Sequence, residues 1–274
     1  MLLAEVIVVA AGLIIGSFLN VCIFRIPQRE SIVTPRSHCR HCDRALKPLE
    51  NIPLFSYLLQ RGRCRGCGER VSWVYPTVEA ITALCFLLLF QKYGFTTALF
   101  VNALFVSMLI VLVFIDLFER ILPNVITLGG TVVGFLLAPL QSSEFFQGTG
   151  MFWVVNSWIS SYVNSFAGIF FGGGFLWAVA FLYFKLRKRE GLGFGDIKMM
   201  AMVGAFAGWK AAWLTILIGS LLGAVIGGAF ILLFSRGRHY ELPFGSFLGL
   251  TAIAVCIYGP EFLKWYLGSP PGVS

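Results

Sequence analysis

Long apolar runs separated by short polar stretches dominate this chain. A helix that crosses the hydrocarbon core of a bilayer needs about 20 residues, most of them apolar. The runs predict about eight such helices, of which the sixth is the shortest and needs its neighbours, or burial in the bundle, to span. The predicted spans cover residues 3–24, 77–92, 96–115, 124–141, 162–184, 197–208, 211–234 and 247–266. We therefore expect an all-α polytopic membrane protein.

One polar stretch, residues 25–76, interrupts this pattern between the first two spans. It contains no run long enough to cross a membrane, and it is rich in Arg, Cys, Gly and Pro. We expect three parts in the chain: a first transmembrane helix at 1–24, a polar insert at 25–76, and a membrane-embedded bundle at 77–274.

The composition supports a membrane protein. Hydrophobic residues make up 58% of the chain and charged residues only 12%, whereas soluble domains average about 25% charged residues. A soluble protein of this size cannot cover its surface with so few charges. The composition therefore excludes a soluble enzyme, a disordered chain and a nucleic-acid-binding domain of the usual kind.

The net charge of +8 is best interpreted as an orientation signal. Cytoplasmic loops of membrane proteins carry an excess of Lys and Arg. If the insert faces the cytoplasm, eighteen of the 21 basic residues lie inside, Arg236 and Arg238 among them, and only Lys92, Lys210 and Lys264 lie outside. We therefore expect the insert on the cytoplasmic side of the membrane.

Four of the seven cysteines form two C-x-x-C pairs in the insert: Cys39, Cys42, Cys64 and Cys67. Two such turns can close a tetrahedron of thiolates around zinc, and four thiolates leave no open position, which predicts a structural site. Metal binding would also supply folding energy to an insert too small and polar for its own core. The alternative is redox-active or disulfide-forming pairs, which a cytoplasmic location disfavours.

Two acidic residues lie where the topology puts cytoplasmic ends of spans. Asp116 follows the third span, and Asp196 precedes the sixth within Gly193-Phe194-Gly195-Asp196. A carboxylate inside a membrane is costly, so such a residue is a functional candidate. Two carboxyl groups that meet can supply a general base and a general acid, as direct peptide hydrolysis requires.

A purely structural interpretation of both aspartates stands beside the catalytic one. Asp196 is compatible with an N-cap of the sixth span, and Asp116 can simply end the third span at the lipid interface. The two residues are 80 positions apart, and nothing in their spacing shows that they meet. The residue pattern alone leaves both interpretations open.

An ordered set of short motifs resembles the type IV prepilin leader peptidase/N-methyltransferase family over nearly the whole chain. The matching segments are Gly16–Val21 with Arg25-Ile26-Pro27, Arg36–Cys42, Asn51-Ile52-Pro53, Gly62–Cys67, Tyr75–Glu79, Asp116-Leu117 with Leu122-Pro123-Asn124, Gly193–Lys198 and Pro243-Phe244-Gly245. One departure is Phe118, where acidic or polar residues are common in the family. It does not challenge the assignment.

The resemblance implies an aspartic peptidase of the bacterial inner membrane, with Asp116 and Asp196 as the catalytic pair on the cytoplasmic side. Its substrates would be type IV prepilins or pseudopilins, which lose a short basic leader. The resemblance also implies structural zinc in the insert and N-methylation of the new N-terminus by S-adenosylmethionine. The methyl-transfer site cannot be located from the residues, although Glu79 is one candidate. An interfacial cap explains Glu79 equally well.

Three other functions compete with this one. The first is a G-x-G-D intramembrane protease of another substrate class, archaeal or presenilin-like, against which the four-cysteine insert argues. The second is a proton-coupled transporter, which would favour polar residues at mid-membrane and inverted repeats; the sequence shows neither. The third is a zinc-bearing assembly scaffold without catalysis. It predicts that Asn at positions 116 and 196 would be harmless.

Overall fold

The computed structural model describes residues 2–141, 157–189, 191–234 and 243–266. These residues form helices and, apart from two isolated bridges, no β structure, which confirms the all-α prediction. The α-helices are α1 (Leu2–Arg25), α2 (Phe55–Leu59), α3 (Val74–Tyr93), α4 (Thr97–Glu119), α5 (Asn124–Leu137), α6 (Ser157–Ile169), α7 (Phe175–Arg187), α8 (Phe194–Phe234) and α9 (Phe244–Tyr266).

Five helical stretches among the described residues are long and apolar enough to cross a membrane. They are Leu2–Arg25, Val74–Tyr93, Thr97–Glu119, Trp158–Arg187 and Phe194–Ala229, and two shorter apolar helices cover Asn124–Leu140 and Phe244–Gly259. The chain is thus a multi-pass membrane protein, as expected. The finer count of eight spans stays a prediction, and Arg236 and Arg238 lie outside the described residues.

Helix α8 is broken at one glycine. Gly208 has φ 79° and ψ 175°, outside the helical region, and helix continues on both sides of it. The break falls at the last residue of the predicted sixth span, 197–208, just before the predicted seventh, 211–234. The part before it, 194–207, is about 21 Å long at 1.5 Å per residue. That length is below the roughly 30 Å of a hydrocarbon core, which is why the sixth predicted span is short.

The chain divides into two compact units, an N-terminal unit (Met1–Phe95) and a C-terminal unit (Thr96–Ser274). In the N-terminal unit α1 packs closely along α3. A methyl group on Gly12 would lie 2.6 Å from the Ala83 Cα, and one on Gly16 would lie 2.7 Å from the Glu79 Cα, so only glycine permits this approach. The predicted three-part division, with boundaries at 24 and 76, separates membrane from polar segments and stays a prediction.

In the C-terminal unit, α8 packs against α5, α6 and α9. The closest approach is between Gly168 of α6 and Gly204 of α8, where a methyl group on either glycine would meet the other's carbonyl group. A π-helical segment, Phe170–Gly174, joins α6 to α7. Small residues at helix contacts are typical of membrane bundles because they bring backbones together.

Candidate active site and metal site

The last turn of α4 carries Asp116. The helix interior before it is almost entirely apolar and buried, and Asp116 itself is only 5% exposed. Arg120 then adopts a left-handed conformation and donates its N–H to the Asp116 carbonyl at 3.0 Å. This C-cap ends α4. Asp116 is therefore a buried carboxyl group at a helix terminus, close to where the sequence puts the end of the third span.

The first turn of α8 carries Asp196, which is 7% exposed. Its backbone N–H donates to the Gly193 carbonyl at 3.2 Å, closing the turn that starts the helix. A methyl group on Gly195 would lie 2.9 Å from the Leu122 Cβ. Glycine at this position lets the chain after α4 approach the start of α8, and with it the carboxyl group of Asp196.

The first turn of α9 brings the two carboxyl groups together. A methyl group on Gly245 would lie 2.9 Å from Asp196 Oδ1, 3.0 Å from Leu122 Cδ1 and 3.1 Å from the Asp116 carboxyl carbon. Both carboxyl groups thus border one small space beside the Gly245 Cα. The structure brings together two residues that sequence spacing could not join.

Ser246 is a polar neighbour of this site that the sequence analysis missed. Its N–H donates to Asp116 Oδ2 at 2.6 Å, and its hydroxyl donates to the same oxygen at 2.7 Å. The signal in the sequence is its position directly after Pro243-Phe244-Gly245, because first-turn N–H groups of a helix lack intrahelical acceptors. The Ser246 N–H also lies 3.2 Å from the Pro243 carbonyl oxygen, so Asp116 is the closer of its two acceptors.

A second polar contact links the starts of α5 and α8. Lys198 Nζ donates to Asn124 Oδ1 at 2.9 Å, and the same ammonium lies 5.7 Å from the centre of the Phe194 ring. The contact joins the segment Leu122-Pro123-Asn124, which follows Asp116, to the segment Gly193–Lys198, which contains Asp196. It helps to hold both helix starts at the same end of the C-terminal unit.

Chemically, two buried carboxyl groups beside a common space can exchange protons with a molecule bound between them. Like charges that border one space disfavour ionisation of both groups at once, so such a pair can hold one proton between them. Such a pair offers a base and an acid in one place. Both groups lie at helix termini, so polar backbone surrounds them.

The four predicted zinc ligands converge in the N-terminal unit. The sulfur atoms of Cys39, Cys42, Cys64 and Cys67 all lie within 4.8 Å of one another. Tetrahedral zinc with Zn–S bonds near 2.3 Å requires sulfur separations of about 3.8 Å, and the Cys39 and Cys67 sulfurs are 3.9 Å apart. All seven cysteines lie within the described residues, and none forms a disulfide.

The two cysteine turns repeat one backbone pattern. Cys39 N–H donates to the Arg44 carbonyl and Asp43 N–H to the Cys39 carbonyl, at 3.0 and 2.9 Å. Cys64 N–H donates to the Glu69 carbonyl and Gly68 N–H to the Cys64 carbonyl, at 2.8 and 2.9 Å. Both turns therefore close with the same residue offsets, and each presents its two sulfurs to the same point.

The electrostatics of the cluster suit a metal cation. Backbone N–H groups of Cys67 and Gly66 point at the Cys64 sulfur and lower the pKa of this thiol to about 6. Against the hydrogen bond from the Glu69 N–H, burial and the neighbouring cysteines raise the pKa of the Cys67 thiol to about 11, so the negative charge of the cluster is concentrated on Cys64. A thiolate at neutral pH is the form that binds metal. The donor set and its spacing therefore fit zinc held by four cysteines.

Glu79, the candidate for methyl transfer, is buried in α3. Its Oε2 accepts a hydrogen bond from the Leu54 N–H at 2.8 Å, and Leu54 has the unusual φ of 57°. The carboxyl group thus anchors the segment before α2 to α3. This contact gives Glu79 a structural role other than the interfacial cap considered from the sequence, while its role in methyl transfer stays a prediction.

Comparisons with known proteins agree on one family. Residues 10–93 match the bacterial peptidase A24 N-terminal domain, and residues 103–228 match the type IV leader peptidase family. No solved structure matches the chain significantly.

Three curated relatives carry the name prepilin leader peptidase/N-methyltransferase. The Aeromonas hydrophila protein is 34% identical over 93% of this chain and 91% of its own length. The Legionella pneumophila protein is 32% identical, over 94% and 92%. The Bacillus subtilis protein is 31% identical, over 93% and 95%. The similarity covers both units.

Proposed function

The chain belongs to the type IV leader peptidase family, and we propose that Asp116 and Asp196 are its catalytic pair. Members of this family are membrane-embedded aspartic peptidases, and the curated relatives are named for leader cleavage and N-methylation. The protein removes the leader from type IV prepilins or pseudopilins and methylates the new N-terminal residue.

One observation carries the proposal: both carboxyl groups border the space beside Gly245. A transporter would favour carboxyl groups in the middle of its spans, whereas Asp116 and Asp196 lie at helix ends. A scaffold without catalysis gives no reason to bury two carboxyl groups side by side, at the cost of their mutual repulsion. The arrangement therefore favours a peptidase.

Hydrolysis needs a base and an acid at the same bond. Water adds to the scissile carbonyl carbon while one carboxylate accepts a proton from the water. The other carboxyl group donates a proton to the amide nitrogen as the C–N bond breaks. The products are a leader with a new carboxylate and a pilin with a free N-terminal amine. No covalent bond to the chain forms.

To test the pair, Asp116→Asn and Asp196→Asn are purified separately and incubated with a prepilin. Each variant should lose cleavage by at least about a thousandfold, the upper range for removal of a general acid or base. Glu119→Gln is the matched control, because Glu119 is exposed at the end of the same helix. Full activity in either Asn variant would overturn the proposal.

The cysteine cluster would hold one zinc ion through Cys39, Cys42, Cys64 and Cys67. Four thiolate ligands leave no open position for water or substrate, so the ion would stabilise the fold of the insert and take no part in hydrolysis. The converging sulfurs support this proposal.

S-Adenosylmethionine would supply the methyl group for the new amine. Glu79 is the candidate residue of this chain for that reaction. In Glu79→Gln, loss of labelled methyl transfer with cleavage retained would support the assignment. Retention of both activities would leave Glu79 with only a structural role, through its hydrogen bonds with Leu54 and Ser17.

The predicted membrane orientation is consistent with cleavage of a leader peptide. We propose that the chain lies in the bacterial inner membrane with the cysteine cluster and both aspartates on the cytoplasmic side. A basic leader would remain in the cytoplasm while the apolar pilin segment enters the bilayer. Cysteine labelling from each side of the membrane in inverted and right-side-out vesicles tests this orientation.

A further inference from the structure

Ser246 holds one oxygen of Asp116 from two sides. The residue is in the first turn of α9 and only 2% exposed. We propose that Ser246 is a positioning residue that fixes the Asp116 carboxyl group, so that Asp116 exchanges protons through Oδ1 only. The inference rests on the proposed function, since it assigns a role within the same catalytic pair.

The number of lone pairs on each oxygen of the Asp116 carboxylate identifies Oδ1 as the atom that exchanges protons. A carboxylate offers about four lone-pair sites, two on each oxygen. The Ser246 N–H at 2.6 Å and the Ser246 hydroxyl at 2.7 Å occupy both sites of Oδ2. Charge-assisted hydrogen bonds of this length are among the strong ones in proteins. The proton that Asp116 takes or gives must therefore reside on Oδ1.

The serine hydroxyl is itself fixed by α4. Its oxygen lies 3.2 Å from the Val113 carbonyl oxygen and 2.7 Å from Asp116 Oδ2. A hydroxyl has a single proton to donate, and the carboxylate is the nearer and charged acceptor. Val113 and Asp116 are one helical turn apart, so Ser246 contacts the end of α4 at two successive turns.

The contact also completes the start of α9. The Ser246 N–H also lies 3.2 Å from the Pro243 carbonyl oxygen, a longer contact than the 2.6 Å to Asp116 Oδ2, and negative charge at a helix N-terminus is favourable. Asp116 therefore serves α9 as a capping acceptor supplied by α4. One interaction thus joins the packing of α9 to the orientation of a reacting group.

Asp196 has no equivalent support from a side chain. Among the described residues, no side-chain hydroxyl or amide donates to its carboxyl group. Glycines border it, since a methyl group on Gly193 would lie 3.2 Å from Oδ2 and one on Gly245 would lie 2.9 Å from Oδ1. The Asp196 carboxyl group accepts a hydrogen bond from the Gly193 backbone N–H instead, so within the pair only Asp116 is held by a side chain.

The test compares three variants of the full chain, purified in detergent with a prepilin substrate. Ser246→Ala removes the hydroxyl and keeps the N–H, and Ser246→Thr keeps both donors. Thr251→Val is the matched control, because Thr251 is a buried residue of the same helix whose hydroxyl has no hydrogen-bond partner in the described part of the chain.

Ser246→Ala should lower kcat by roughly 10- to 100-fold, the effect expected for one hydrogen bond to a charged group. KM should stay within about twofold of the original value, because a positioning residue acts after substrate has bound. Ser246→Thr should recover most of kcat, and Thr251→Val should retain it. The melting temperature of Ser246→Ala should fall only modestly, because the Ser246 N–H bond to Asp116 Oδ2 remains.

An unchanged kcat in Ser246→Ala would overturn the inference. So would a fall in kcat that Thr does not restore and that accompanies a much lower melting temperature, because that pattern marks a purely structural residue. The activity of Asp116→Asn distinguishes failure of the proposed function from failure of the proposed role of Ser246. If that variant cleaves normally, the proposed function fails; if it is inactive while Ser246→Ala is normal, only the role of Ser246 fails.

Discussion

The N-terminal and C-terminal units both organise polar groups within an apolar chain, but by different means. In the N-terminal unit, two short turns direct four sulfurs to one point, and each turn is closed by its own backbone hydrogen bonds. In the C-terminal unit, two carboxyl groups meet because the ends of three helices meet, and glycines let them do so. The first site is built from local contacts and the second from long-range packing.

This difference predicts different failure modes. A metal-dependent loop should unfold locally when the ion is removed, because little else organises it. A site at packed helix ends should lose function after a very small change in shape, because closely packed structures relax only partly around an added group. Four changes to the protein test that contrast, of which the substitution of Gly245 should have the largest effect.

Gly245→Ala should abolish most of the cleavage activity without unfolding the protein. The added methyl group would sit between the carboxyl groups, 2.9 Å from Asp196 Oδ1 and 3.1 Å from the Asp116 carboxyl carbon. We expect a loss of at least about 100-fold in kcat/KM, as small misplacements of reacting groups can cause. Gly129→Ala is the control, since open space surrounds Gly129. Equal activity of the two variants would show that the pair tolerates the added methyl group.

Removal of the proposed zinc ion should loosen the insert far more than it lowers cleavage. In Cys64→Ser, or after treatment with a strong chelator, amide exchange in residues 36–70 should accelerate by more than about 100-fold, since structural zinc supplies folding energy outright. Exchange in α4 should not change. Mass spectrometry of deuterium uptake measures both regions in one sample. Unchanged exchange in 36–70 would mean that the cysteines do not bind a structural metal.

Gly16→Ala should destabilise the N-terminal unit. Alanine normally stabilises a helix by nearly 1 kcal/mol relative to glycine, but a methyl group here would meet the Glu79 Cα at 2.7 Å. Overpacking of this kind costs about 1–3 kcal/mol. Chemical denaturation, monitored by amide exchange within α1 and α3, should show the loss of stability. A stabilised variant would indicate that α1 and α3 are not in close contact.

Glu50→Gln should have the smallest effect. The Glu50 carboxylate accepts hydrogen bonds from the Lys47 N–H at 2.9 Å and from Arg44 Nη2 at 3.0 Å and 3.1 Å. The Lys47 N–H and the Arg44 guanidinium hold the pKa of Glu50 below its ordinary range. We expect amide exchange near this contact to accelerate only a few-fold at neutral pH, because Gln keeps an oxygen that can accept these hydrogen bonds and loses only the charge.

The sign of the pH dependence follows from the lowered pKa. A carboxylate with a lowered pKa stabilises the fold above its unfolded value, near pH 4.3, and that stability is lost as the pH falls through the folded value. The difference in exchange between the original protein and the Glu50→Gln variant should therefore stay constant from about pH 8 to about pH 5. If the difference in exchange shrinks steadily over this range, another titrating group must cause it.

The same contrast explains what the sequence could predict. The four cysteines were recognisable because each turn is complete within a few residues, and the structure repeats one pattern in both. Asp116 and Asp196 could be singled out by their position in apolar sequence. Their meeting could not, because it depends on how α4, α8 and α9 pack and on glycines whose role shows only in three dimensions.

Ser246 and Gly208 show the remaining limits. Ser246 binds a residue 130 positions away, so no local pattern reveals its partner. The break at Gly208 falls at a predicted boundary between spans, but hydropathy alone cannot say whether helix continues beyond it. Leu122 is similar, since its contact with Gly195 depends on the approach of two chain segments that are distant in sequence.

The most direct test of the central claim is a comparison of Asp116→Asn, Asp196→Asn and the double variant in single-turnover cleavage of a prepilin. Residues that act as one unit give strongly non-additive losses. Each single variant should lose at least about a thousandfold, and the double variant should be no slower than the slower single variant. Losses that multiply in the double variant, or normal cleavage in either single variant, would contradict a catalytic pair.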